Sequence, residues 1–214
     1  MPHHSTSRLA SRSVTVVAVA VAVAAMLALT ACSAAASTST SAGNVEADDI
    51  QLVRDAMMKD HGLDGLDARA IIDRLDALPT SERPDDLMVS IRPNELTLSD
   101  AAQREMTLPM PDDQFYVSIA PYDNVTHECY FHSLTTCKGE IQNGDVHVLV
   151  ANTDSGEILI DETRTTFDNG FMGLWLPRNI DVNVTIDYDG RSATTDLSTS
   201  GDEAATCVTT MQLA

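Results

Sequence analysis

Beyond Pro84 the chain is cut into short apolar runs by a series of compact turn signals. These are Pro93-Asn94, Asn143-Gly144, Asp154-Ser155-Gly156, Asp168-Asn169-Gly170 and Asp189-Gly190. Gly, Asn and Asp tolerate positive φ or hydrogen-bond their own backbone, and Pro fixes φ, so such clusters reverse a chain. The runs between them fall at 87–91, 95–98, 114–120, 145–151, 157–162, 181–188 and 206–213. They are too short for stable helices, and many alternate apolar with polar residues, the period of a half-buried strand. Strands at this spacing predict a mainly antiparallel, β-sandwich-like domain over residues 85–214.

Residues 45–84 have a different period. In 46–60, Ile50, Val53 and Met57 share one helical face, and His61-Gly62 supplies a stop. In 67–78, Ala68, Ile71, Ile72, Leu75 and Leu78 repeat that stripe behind the N-cap candidate Asp67. The prolines 79 and 84 end the pair. The expected fold class is therefore α+β, a short helical region followed by the β-rich domain. Met57 and Met58 read as core filler on a helix face.

The start of the chain reads as a targeting segment. Arg8 and Arg12 precede an uncharged Ala/Val-rich run from Val14 to Ala31, followed by Leu29-Thr30-Ala31-Cys32 at its end. A charged n-region, an apolar h-region and small residues before a cut make an export signal. Cysteine after Leu-Thr-Ala resembles a bacterial lipobox, which implies a lipid on Cys32 and cleavage before it. Residues 32–44, rich in Ser, Thr and Ala, read as a flexible tether. The expected location is extracytoplasmic, on a membrane through that lipid.

Without residues 1–31 the chain keeps 11 basic against 32 acidic residues, a net charge of −21. Phosphate backbones need a basic footprint, so nucleic acid is excluded as a partner. No nucleophile elbow, HExxH helix or phosphate loop is present in the sequence, and no enzymatic activity is expected.

With Cys32 lipidated, Cys129, Cys137 and Cys207 remain. An oxidising compartment favours paired cysteines, and an odd number leaves one over. Two of the three sit in THECYFHSLTTCKGE, spaced His127-x-Cys129-x2-His132-x4-Cys137. Thiolate and imidazole are ligands for Cu(I) and Zn(II), whereas calcium and magnesium require oxygen donors. Three readings stand together. The cysteines act jointly on a metal, Cys129 and Cys137 form a plain disulfide, or they form a redox couple resolved by Cys207. His147, between Val146 and Val148, reads as a satisfied structural histidine, and Met211 as core.

Four blocks extend the comparison: FYVSIAPY (115–122), THECYFHSLTTCKGE (126–140), DNGFMGLWLPR (168–178) and TCVTTMQL (206–213). Together and in this order they resemble the CueP family of exported bacterial copper-binding proteins. The resemblance implies copper held by Cys129, Cys137 and Cys207 with His132, and His127 as a weaker candidate. Copper is expected as Cu(I), with zinc the alternative ion. It also implies sequestration in the cell envelope and supply to a Cu/Zn superoxide dismutase. A lipobox and tether depart from a freely diffusing periplasmic protein. A homodimer is compatible with the sequence.

Overall fold

The computed structural model describes residues 42–214. The export segment, Cys32 and the tether as far as residue 41 lie outside the described residues. Helix α1 spans Ala42–Asp60, so it takes in the last three residues assigned to the tether. The expected stripe along α1 is buried only at its end. Met57 is 1% exposed, whereas Ile50 and Val53 are about half exposed, because only the last turns reach the core. The stop is a positive-φ Gly62, beyond which Leu63 N–H donates to the Met58 carbonyl at 2.7 Å.

Helix α2 spans Ala68–Asp76, capped by Asp67, whose carboxylate accepts from Ala70 N–H at 2.8 Å. It stops two residues before the expected 78, ahead of a 3₁₀ turn at Thr80–Glu82. Its buried face is Ala68, Ile71, Ile72, Leu75 and, unusually, Asp76.

Ten strands follow. An antiparallel sheet contains β1 (Leu87–Ile91), β2 (Glu95–Asp100) and β3 (Glu105–Pro109). A second orders β10 (Cys207–Val208), β4 (Gln114–Ile119) and β7 (Met172–Pro177). The third orders β6 (Ile158–Thr165), β5 (Asp145–Asn152), β8 (Asp181–Tyr188) and β9 (Arg191–Ser198). The α+β class holds. The strand expected over 206–213 shrinks to Cys207–Val208 with an isolated bridge from Gln212 to Tyr122, and it pairs parallel to β4.

Strand β4 is buried on both faces, which positions the site. Phe115, Val117 and Ile119 join Met172, Leu174 and Leu176 of β7 against Val146, Val148, Val182 and Val184 of the four-stranded sheet. Met211 is buried in the same core. The opposite face of β4 carries Tyr116 and Ser118, and Tyr116 packs with the helices and the first sheet. Tyr116 packs against Trp175 with ring centroids 4.8 Å apart and planes tilted by 60°, and Arg69 of α2 lies over the Trp175 ring at 4.5 Å. Trp175 Nε1–H donates to Asp73 at 2.8 Å, so α2 is docked on this aromatic pair by a cation–π contact and a hydrogen bond.

Candidate metal centre

Cys207 is placed by the parallel pairing of β10 with β4. Ser118 N–H donates to Thr206 O at 2.9 Å, and Ala120 N–H to Val208 O at 2.8 Å. The 126–140 segment is tied down on three sides. Glu140 accepts from the backbone N–H of Asp123, Asn124 and Val125 at 2.7, 2.9 and 3.2 Å. Thr209 Oγ1 donates to His127 O at 2.6 Å. Ile91 N–H donates to His132 O at 2.8 Å, and Leu134 N–H to Val89 O at 2.9 Å, extending the edge of β1. Thr206 Oγ1 closes the arrangement, donating to Ile91 O at 2.7 Å and accepting from His132 N–H at 3.0 Å.

Glycine allows the last closure. Gly139 N–H donates to Asn169 O at 2.6 Å, and a Cβ on Gly139 would stand 2.5 Å from Gly170 O. Gly170 has φ +77°, so the Asp168-Asn169-Gly170 turn and the cysteine loop pass backbone to backbone. This sets Phe171, fully buried, 4.6 Å from the His132 ring.

The outcome is a cluster of Cys129, His132, Cys137 and Cys207 with one ligand atom of each within 4.8 Å of all the others. Cys207 therefore reaches the loop. Cys129 and Cys207 are joined by a disulfide with their Cα atoms 5.7 Å apart, and Cys137 is free. The pairing differs from the Cys129–Cys137 disulfide of the two alternative readings, staple and redox couple. The cause is the alignment of β10 beside β4, which sets Cys207 against Cys129. Cys137 Sγ stands 3.5 Å from Cys129 Sγ, and Cys207 Sγ is 3.7 Å from His132 Nδ1. His127 is exposed and stands outside the cluster. His147 lies on the outer face of β5, 2.9 Å from Asp161, away from the cysteines.

Sequence reasoning passed over the residues behind this cluster. Asp76 is fully buried and accepts from Tyr116 Oη–H at 2.6 Å, Asn169 Nδ2–H at 2.9 Å and Ser118 Oγ–H at 3.0 Å. His132 Nε2 is 3.0 Å from Asp76 Oδ1. The available signal was position, since Asp76 follows Ile72 by four residues on an otherwise apolar helix face. Burial alone would raise the Asp76 pKa, but His132, Tyr116 and Asn169 together hold it below the usual carboxylate value. Burial alone would lower that of His132, but the Asp76 carboxylate, aided by Cys137, raises it to about 9. Burial pushes the Cys137 thiol up, and His132, Ser133 N–H and Arg83 more than offset this, so it titrates below its ordinary value.

With Nε2 committed to Asp76, Nδ1 is the nitrogen that faces the sulfurs, the usual way a carboxylate orients a metal-binding imidazole. Three sulfurs and one nitrogen form a soft donor set, suited to copper or zinc rather than to hard cations. A surface depression lined by Thr126, His127, Glu128, Cys129 and Tyr130 connects the half-buried Cys129 to solvent.

The model of the family described as periplasmic copper-binding protein CueP matches residues 70–212. This chain belongs to the CueP family. The matched CueP region takes in Asp76, all three clustered cysteines and His132. A solved structure, "Crystal Structure of S.CueP", shares 37% sequence identity with this CueP-family chain at a TM-score of 0.70. The match covers 75% of this chain and 97% of that one. No curated protein matches. CueP is a family of periplasmic copper-binding proteins, and among the described residues no helix is long and apolar enough to cross a membrane.

Proposed function

We propose that this protein, in its reduced form, sequesters Cu(I) on the thiolates of Cys129, Cys137 and Cys207, with Nδ1 of His132 as an added or exchanging donor. The observation that carries this is the convergence of those four ligand atoms within 4.8 Å. Metal–thiolate bonds of about 2.3 Å put donors on one ion roughly 3.8–4.6 Å apart; Cys137 Sγ already stands 3.5 Å from Cys129 Sγ, and the bonded sulfurs of Cys129 and Cys207 must part once the disulfide is reduced. Three thiolates favour a soft monovalent ion, and Zn(II) is the competing occupant.

The Cys129–Cys207 disulfide makes loading redox-dependent. An envelope dithiol supplies two electrons and two protons, becomes a disulfide itself, and frees both sulfurs. Copper then binds as the thiols lose protons. Cys129, open to the surface depression, is the sulfur from which an acceptor takes the ion by ligand exchange. The acceptor we propose is a Cu/Zn superoxide dismutase, and the anchor a lipid on Cys32.

Competition of the reduced protein with a strong Cu(I) chelator tests this. The wild type should withdraw one Cu(I) per chain, and the Cys129→Ser, Cys137→Ser double variant should fail to. Equal affinity in the two would overturn the proposal. A second reading is supported by the 3.5 Å approach of Cys137 Sγ to the disulfide. Attack of the Cys137 thiolate on Cys129 would form a new disulfide and release Cys207 as a thiolate. Acceleration, without metal, of insulin reduction by an added dithiol that supplies the electrons would favour that thiol–disulfide exchange function.

A further inference from the structure

Arg83 has no part in the donor set and makes no short ion pair, yet its side chain is only 4% exposed. One of its five N–H donors is used on the cysteine loop, where Nη1 donates to the Cys137 carbonyl at 2.7 Å. Its Nε and Nη2 are buried without a hydrogen-bond partner, among only three such side-chain atoms of the described residues. Nη2 is 4.0 Å from Asp76 Oδ1, too far for a hydrogen bond, and that carboxylate is already engaged by Tyr116, Ser118, Asn169 and His132. A buried cation with idle donors is costly unless negative charge faces it, and besides Asp76 the groups that act on it are the Cys137 sulfur and, more weakly, Asp168, which is beyond ion-pair distance.

We infer that Arg83 is a positioning and charge-selecting residue of the metal centre, its guanidinium balancing the negative charge that three thiolates carry when they close on Cu(I). The inference rests on the copper reading above. In the disulfide form only Cys137 among the three cysteines can carry charge. Reduction and loading raise this to three thiolates, and one monovalent ion among them leaves a dianion. The groups facing that dianion are Asp76, which is negative, His132, and Arg83. His132 gives up a proton if Nδ1 binds the metal. Arg83 then remains the one permanent cation bonded directly to the cysteine loop. The same thiolates around Zn(II) leave a monoanion. Measured from the reduced, metal-free site with all three thiols protonated, a fixed cation therefore favours the Cu(I) form about twice as strongly in energy as the Zn(II) form.

The test is affinity for both ions in reduced wild type, Arg83→Gln and Arg83→Lys, each competed against chelators. Partners behind a metal's ligands typically contribute about 10–100-fold in affinity. Arg83→Gln is expected to lose Cu(I) affinity by about that factor. It should lose Zn(II) affinity by only its square root, about 3–10-fold, so the Cu(I)/Zn(II) ratio falls. Arg83→Lys, which keeps the charge but not the fork, should hold the ratio near that of the wild type. A purely structural role would lower both affinities by the same factor, and that result overturns the inference. Unchanged Cu(I) affinity in Arg83→Gln overturns it too, while leaving the copper site standing. A wild type that binds no Cu(I) overturns the copper reading itself. If Arg83→Gln does not fold, Arg83→Lys decides: a ratio more than tenfold below wild type refutes the charge argument. If Zn(II) binds too weakly to measure, loss of Cu(I) affinity in Arg83→Gln with recovery in Arg83→Lys supports the inference, and no recovery refutes it.

Discussion

Replacing Asp76 by Asn isolates the charge that holds His132 in its cationic, oriented form. The two are both buried and 3.0 Å apart. The His132 pKa stands at about 9 against an ordinary 6.5. At about 1.4 kcal/mol per pH unit that gap converts to about 3 kcal/mol of stability. Because the folded value is the higher one, this contribution is complete below pH 6.5 and is lost as pH rises through 9. Cys137 opposes the slope, since its thiol is drawn down in the fold and adds stability as pH rises towards 9. The experiment is therefore run in a Cys137→Ser background. Urea unfolding from pH 6 to 10, with the His132 ring followed by NMR, should show stability falling across that range by up to about 3 kcal/mol, less the part that Cys137 contributes to raising His132. Adding Asp76→Asn should remove the slope, lower stability at pH 6 by at least about 3 kcal/mol, and drop the His132 pKa below 6.5, because burial then acts unopposed. A His132 that still titrates near 9 in the Asn variant would refute the reasoning.

Three other outcomes follow from the same packing. A Cβ at Gly173 would land on the Tyr116 hydroxyl, so Gly173→Ala should destabilise by about 1–3 kcal/mol in chemical denaturation and disturb the bond from Tyr116 to Asp76. Phe171→Ala removes a fully buried ring beside His132 and should cost about 3–5 kcal/mol, measured as a lowered thermal midpoint. The Cys129–Cys207 disulfide joins residues 78 positions apart, so Cys207→Ser should destabilise the oxidised protein by about 4 kcal/mol while leaving the stability of the reduced protein far less changed.

Local signals and long-range ones differ in how well the sequence conveys them. The N-cap Asp67, the stop at Gly62 and the turn at Asp189-Gly190, both with positive φ, act within a few residues, and their composition is visible directly. Of the strands that escaped notice, two owe their place to a neighbouring strand. In β9, Ala193 is the only buried apolar residue, and the strand exists because the preceding turn folds it onto β8. Strand β7 begins with Met172-Gly173, and that glycine answers to Tyr116 on the neighbouring strand. The parallel pairing of β10 with β4, and so the Cys129–Cys207 disulfide, depends on residues about 90 positions apart. Cys129, Cys137 and His132 were conspicuous because thiols and imidazole are rare and closely spaced. Asp76, Arg83 and Asn169 were not, because one acid or amide among many looks like solvated surface until its burial is known.

The central claim is that one copper ion is held by all three sulfurs. X-ray absorption at the copper edge of the reduced, Cu(I)-loaded protein addresses it directly. The expected first shell is dominated by three sulfurs at about 2.3 Å, collapsing to two in Cys207→Ser. A shell of nitrogen and oxygen, or one unaltered by Cys207→Ser, would contradict it.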